Sequence, residues 1–222
     1  MDCRLDTADC QLKMVTLTFY NYKKGFGWIG FLAMAWMRVP LWLNVEITFW
    51  KLMGVGRAGF KPESNGRRWA VLLVWKNLPQ QNRWWQRWMA AKAEVTHFQL
   101  QPLFGHGLWS GVDPFQQLTS KKAHTQKIAV LTRASIRWSK AKLFWQNVPA
   151  VADDLTQSFH PVFTAGIGEL PVIRQATFSV WSNEEEMKKF AYQHSAHKKV
   201  IELTKQHNWY SEELFYRFAV LE

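Results

Sequence analysis

Cysteine is almost missing from this chain of 222 residues; Cys3 and Cys10 are the only two, and both stand close to the start. No disulfide framework can hold such a fold. Cys-x-x-Cys and His-Glu-x-x-His are also missing, so a structural zinc is not expected and a reducing cytoplasm is the default compartment. Long hydrophobic runs are lacking too. The one candidate span, 28–45, is interrupted by Arg38 and Pro40 and falls well short of the roughly 20 apolar residues a crossing helix needs. Residues 1–13 are acidic and lack an apolar h-region, so they read as a disordered tail rather than a signal peptide, with Met14 a candidate start. No run of five basic residues occurs, the tightest cluster being Lys121-Lys122, so no nucleic-acid partner is expected. The Gly-x-Ser-x-Gly elbow of many hydrolases is absent. Gly54-Val55-Gly56 and Gly166-Ile167-Gly168 lack the third glycine of a dinucleotide fingerprint and read as turns.

Aromatic residues and cations are abundant. Fourteen Trp and fifteen Phe suit a large apolar ligand or a membrane interface as well as a core. The excess of 28 Lys and Arg over 17 Asp and Glu suits an anionic partner, with a plain solvated surface as the alternative. Apolar residues at 48% are enough for a substantial core. In the stretch after Gly25, Trp28, Phe31, Leu32, Ala35 and Trp36 fall along one side of an amphipathic helix, and their aromatic content leaves interfacial docking open.

The chain is written nearly twice. Phe49 to Gly56 is echoed by Val162 to Gly168, and Arg68-Trp69-Ala70-Val71-Leu72-Leu73-Val74-Trp75-Lys76-Asn77 by Arg174-Gln175-Ala176-Thr177-Phe178-Ser179-Val180-Trp181-Ser182-Asn183. Duplicated domains of about a hundred residues follow. Each half reads strand (14–20, 127–136), helix (27–39, 139–158), strand, strand (68–75, 174–181), helix (79–93, 184–207) and strand (94–103, 214–221), with Asn77 and Asn183 as helix caps. This is the order β-α-β-β-α-β of the ferredoxin-like split unit, an α+β fold. Two such units are expected to pack face to face as an intrachain pseudo-dimeric α+β barrel. The predicted boundaries are a tail at 1–13, a first unit at 14–104, a linker at 105–126 and a second unit at 127–222.

On the last helix of the second half, Met187, Phe190, His194, His197, Ile201 and Thr204 step by three or four, which puts both histidines on one apolar stripe. Core histidines bonded to backbone carbonyls are one reading. A metal ion or heme iron is another way to satisfy a buried imidazole. The matching helix of the first half carries Trp84, Trp85 and Trp88 and no histidine. Glu184-Glu185-Glu186 suits a helix first turn.

Several strings resemble the spheroidene monooxygenase family. They are Val130 to Ile136, Gly166-Ile167-Gly168-Glu169-Leu170-Pro171, Gln175 to Trp181, Trp209 to Phe218, Phe49 to Gly54 and Trp109-Ser110-Gly111-Val112-Asp113-Pro114-Phe115. The resemblance spans about 15–222. It implies an oxidoreductase carrying heme b that oxidises an acyclic carotenoid at C2 with dioxygen and electrons from reduced ferredoxin. Alternatives are a related ferredoxin-like-fold monooxygenase, a heme-degrading enzyme, or a non-enzymatic heme- or lipid-binding module. By the same resemblance His197 matches the family's histidine and is the expected axial ligand of the iron, with His194 next. Thr132 and Phe178 are expected beside the cofactor, Trp181 and Thr177 beside the substrate. Arg133 and Arg174 are the candidates for the oxygen side or a heme propionate. At strand spacing Phe178 and Trp181 point to opposite faces, so one cavity cannot take both. The implied partners are an apolar polyene and a ferredoxin-type donor; a homo-oligomer and a peripheral membrane contact of a cytoplasmic protein are both compatible with the surface. The region 25–44 is richer in Trp and Met than the family pattern. Gly56 to Trp75 spans 19 positions against 13 for Gly168 to Trp181.

Overall fold

A computed structural model describes residues 14–56, 66–77, 84–115, 127–146, 160–170, 173–193 and 208–221. The first half contains β1 (Met14–Tyr22), α1 (Gly27–Trp36), α2 (Arg38–Trp42), β2 (Ile47–Val55), β3 (Arg68–Trp75), α3 (Trp84–Ala90) and β4 (Ala93–Gly107). The second contains β5 (Ile128–Ile136), a single 3-10 turn (Trp138–Lys140) running into helical residues 141–146, then β6 (Phe163–Leu170), β7 (Arg174–Trp181), α4 (Glu184–Gln193) and β8 (Tyr210–Leu221). The ferredoxin-like order is therefore present twice, as the sequence predicts. Each half forms a four-stranded antiparallel sheet, β4-β1-β3-β2 and β8-β5-β7-β6, and the two join into one closed eight-stranded barrel. Closure leaves no strand edge open and wraps one face of each sheet around a shared interior.

Alternation along the strands explains which side chains go inside. Val15, Leu17 and Phe19 of β1, Ala129 and Leu131 of β5, Ala176, Phe178 and Val180 of β7 and Leu214, Tyr216 and Phe218 of β8 all join one buried cluster. Phe19, Phe98, Phe163 and Phe178 fill one end of it, with ring centroids 4.9 to 6.2 Å apart. Each fully buried side chain of this size contributes about 1.5–3 kcal/mol.

The outer face of the first sheet is covered by α1, α2 and α3. Ile29, Ala33, Met37, Leu41, Trp85 and Met89 pack onto Tyr20, Tyr22, Val71, Leu73 and Trp75. A Cβ at Gly30 would lie 2.0 Å from Trp69 Cδ1, so only glycine lets α1 approach this closely. The Tyr22 hydroxyl donates to Met89 O at 2.7 Å, and burial pushes the Tyr20 hydroxyl up to about 12.

Four local expectations are corrected. The helix at 27–39 breaks at Met37 and restarts as α2 ahead of Pro40, which has no N–H to give. Its buried residues are Ile29, Gly30 and Ala33, so the stripe containing Trp28, Phe31 and Leu32 faces outward. The glycine pairs are not turns: Gly54 faces Gly168 and Val55 faces Ile167 across the β2–β6 seam, with Gly56 N donating to Gly166 O at 2.9 Å. The closing strand of the first half runs to Gly107 rather than 103, and the following residues carry Trp109 and Phe115 into the barrel core. Of the predicted helices 139–158 and 184–207, the parts at 147–158 and 194–207 lie outside the described residues. So do 79–83 of the first-half helix, and the Asn77 amide donates to Glu46.

Candidate functional site

Strand register allows the two halves to be compared position by position. Phe19 pairs with Ala70 as Arg133 pairs with Ala176, so β1 and β5 are in phase, as are β3 and β7. Trp50 and Leu52 lie opposite Leu73 and Val71, just as Thr164 and Gly166 lie opposite Ser179 and Thr177. The glycine-rich echo read from sequence is thus two residues out of step: Gly54 matches Gly168. In this register the outer face of the first sheet carries Tyr20, Trp50, Leu52, Trp69, Val71 and Leu73. The same six places in the second sheet carry Ala134, Thr164, Gly166, Gln175, Thr177 and Ser179. Bulky apolar residues have been replaced by small or neutral polar ones at every place.

That substitution leaves the outer face of the second sheet as a bed of small and polar side chains, in which Gly166 is itself buried. Thr132 and Thr177 meet on it, their hydroxyls hydrogen-bonded to each other. Thr164 Oγ1 is buried with no hydrogen-bond partner, a condition that costs about 1–3 kcal/mol unless a bound group supplies one. The edge of the bed is walled by Trp181, which stacks on Phe190 of α4 at 5.4 Å and donates to Ser179 Oγ at 2.9 Å. Asn183 Oδ1 accepts from Glu186 N at 2.9 Å and caps α4, with three glutamates in the first turn as expected. His194 and His197 lie outside the described residues. Among the described residues no group of three or more His, Cys, Asp or Glu is placed to hold a metal.

The remaining candidates point the other way. Phe178 is fully buried inside the barrel, on the opposite face of β7 from Thr177 and Trp181. Arg133 also faces inward, with only 4% of its surface exposed, and bonds to Glu212. Arg174 is at the same barrel end, largely exposed and 3.7 Å from Glu169.

Arg133 and Glu212 belong to a polar cluster whose residues read in the sequence as linker and strand ends. The segment 108–115 folds as a strap across this barrel mouth, turning through Ser110 and Gly111, whose φ values are +58° and +79°. Glu212 accepts the backbone N–H groups of Ser110 at 3.0 Å and Gly111 at 2.7 Å. Glu169 accepts from the Trp109 indole and pairs with Lys51 at 3.1 Å, while Lys51 donates to Ser110 Oγ at 2.8 Å. Tyr216 donates to Asp113 at 2.6 Å, and Phe115 packs edge-on against Tyr216 and Phe218. Burial alone would raise the Glu212 carboxyl; the strap N–H groups and the Arg133 guanidinium outweigh it and hold the carboxyl below its ordinary range. Burial, reinforced by the acceptor Asp113, pushes the Tyr216 hydroxyl up. Trp109 and Phe115 inside an otherwise polar stretch are the signal that marks the strap in sequence.

No protein-family model matches the chain. In fold it is similar to aldoxime dehydratase in complex with butyraldoxime, at 11% identity and a TM-score of 0.57 over 97% of this chain and 82% of that one. A second aldoxime dehydratase structure gives 12% and 0.58, over 97% and 84%. Spheroidene monooxygenase of Cereibacter sphaeroides is 34% identical over 181 residues, which cover 78% of this chain and 56% of that protein. The protein of the same name from Rhodobacter capsulatus is 34% identical over 192 residues. Since that match takes in 83% of this chain and 80% of the relative, with the residues of β5, the strap and β8 inside the resembling strings, the chain belongs to the spheroidene monooxygenase family of oxidoreductases.

Proposed function

We propose that the chain is a heme-dependent monooxygenase that oxidises an acyclic carotenoid of the spheroidene type at C2, with dioxygen and with electrons from a reduced ferredoxin. The observation that carries this reading is the cut-back outer face of the second sheet. Two relatives named for action on spheroidene support the substrate class.

A heme b is flat, mostly apolar and edged by two carboxylates. The bed formed by Ala134, Gly166, Thr177 and Ser179 fits a flat group, and the unpartnered Thr164 hydroxyl offers it a hydrogen bond. His197 is the proposed axial ligand, with His194 next, on the strength of the sequence stripe alone. When bound, heme supplies the redox chemistry of dioxygen. The chain's own part is to provide the bed, to exclude water with Trp181 and Phe190, and to fix the Thr132–Thr177 pair at its centre. In this reading Arg133 and Arg174, which face the other side of the sheet, hold the strap in place. A substrate this apolar resides in lipid, so the chain works in peripheral contact with a membrane.

Hemin titration of the purified chain tests the reading. A Soret band that is bleached or shifted in His197→Ala, together with oxygen-dependent oxidation of an acyclic carotenoid in detergent, is the expected result. A protein that stays colourless in excess hemin overturns it.

A further inference from the structure

The helical layer of the first half is apolar on both sides. Its inner residues Ile29, Ala33, Met37 and Leu41 are spent on the sheet. Its outer ones, Trp28, Phe31, Val39, Trp42 and Leu43, are 54 to 79% exposed. Trp84 of α3, 62% exposed, joins them by stacking on Trp36 at 5.5 Å. Isolated exposed apolar residues are ordinary, but a contiguous aromatic patch marks a contact surface.

Charge identifies the occupant. Between Met14 and Val45 the chain has no Asp or Glu, whereas Lys23, Lys24 and Arg38 are all exposed beside the patch. Arg87 and Lys92, from α3 and the turn after it, add to the same rim, and 84–92 is equally free of acids. A second copy of the chain seated on this face would oppose cation to cation. An aromatic centre ringed by Lys and Arg instead complements the boundary between lipid tails and anionic headgroups, where Trp is favoured and each basic side chain meets a phosphate.

We propose that α1, α2 and Trp84 form the docking face through which the protein seats on an anionic bilayer, with Trp28, Phe31 and Trp42 entering the headgroup–acyl boundary. Among the described residues no helix is long and apolar enough to cross a membrane, and the face lies flat on the surface. The proposal deepens the reading of a lipid-borne substrate given above, and rests on it for its purpose but not for its geometry.

Co-sedimentation of the full chain with substrate-free vesicles decides it. Wild type should bind mixed phosphatidylcholine–phosphatidylglycerol vesicles, and bind pure phosphatidylcholine far more weakly. One basic residue near an anionic leaflet is worth about fivefold in partition, so the triple variant Lys23→Gln, Lys24→Gln, Arg38→Gln should bind the mixed vesicles about a hundredfold more weakly. Trp28→Ser, Phe31→Ser, Trp42→Ser should lose the binding that persists at high salt. All six changes are at exposed positions, so thermal unfolding and the hemin spectrum should match wild type. Wild type remaining in the supernatant, or the aromatic triple variant binding like wild type, overturns the proposal. So does a dimer in sedimentation velocity that the aromatic triple variant abolishes. Failure of hemin binding with vesicle binding intact would remove the catalytic reading and leave the docking face standing; the opposite pattern would do the reverse.

Discussion

The two halves of the barrel use the same strand order and the same register to present opposite outer surfaces. On the first sheet Tyr20, Trp50, Leu52, Trp69, Val71 and Leu73 consume the available depth, and three helices close over them. On the second, Ala134, Thr164, Gly166, Gln175, Thr177 and Ser179 leave that depth unfilled by the sheet itself. Under the proposed function, the second copy gains its ligand site by shrinking side chains while the first keeps the packing that stabilises the whole. The helical layers differ in the same sense. α1 and α2 of the first half carry an exposed aromatic patch, while α4 begins with three glutamates and an exposed Glu184–Lys188 pair at 2.9 Å.

Exchanging residues between equivalent places should break this division, and the largest effect is expected where bulk is restored. Gly166→Leu gives the second face the side chain found at Leu52. Hemin binding should weaken by a hundredfold or more, read by Soret titration, and because Gly166 is buried the added side chain should also cost about 1–3 kcal/mol by calorimetry. The reverse exchange, Leu73→Ser, puts the residue of Ser179 into the packed first face. It should cost about 3–5 kcal/mol in urea unfolding, since a buried leucine is replaced by a cavity and a hydroxyl; Ser179→Ala, which strands the buried Trp181 indole N–H, should cost about 1–3 kcal/mol.

A third exchange concerns the barrel ends, where Phe19 and Arg133 are counterparts. Arg133→Met leaves Glu212 with only the strap N–H groups and should cost about 2–3 kcal/mol. The sign of the pH effect follows from the depressed Glu212 carboxyl. Its contribution is complete above the ordinary carboxylate value of 4.5 and is lost as pH falls through the lower folded value. Urea midpoints measured from neutral to acid pH should therefore fall more steeply for wild type than for Glu212→Gln. The smallest effect should come from Asn183→Ala, which removes the α4 cap and costs about 1 kcal/mol.

Much of this architecture is legible in the sequence because strand alternation is a local signal. Met14–Tyr22 and Ile128–Ile136 announce themselves through β-branched and aromatic residues, and period two alone is enough to place Phe178 and Trp181 on opposite faces. The failures occur where the deciding partner is distant. Glycines that look like turns are the seam between β2 and β6, and nothing nearby in sequence reveals that. In α1 every residue is apolar or small, so periodicity gives no hint of which side faces inward; Gly30, needed for approach to Trp69, is the only local clue. The strap reads as linker because its neighbours are polar, although Trp109 and Phe115 are core residues. For the site, the pairing of Thr132 with Thr177 follows from register, whereas the contrast between the two outer faces emerges only once β2 and β6 are aligned through their own partners.

The two junctions that close the barrel are unequal, and this sets the order in which it opens. Between β4 and β8 eight residue pairs are matched, four on each side of a register shift between Pro102 and Phe104. Between β2 and β6 the described residues supply two, Gly54 with Gly168 and Val55 with Ile167, where the glycines contribute no side chains. The barrel is therefore a clasp with one long hinge and one short fastening. Fluctuations should part it along β2 and β6 while β4 and β8 stay zipped. The amide of Gly56, which donates to Gly166 O, should therefore exchange with solvent well before that of Ala219, which alternation turns toward β4 because Val220 N goes to Lys127 O on the β5 side.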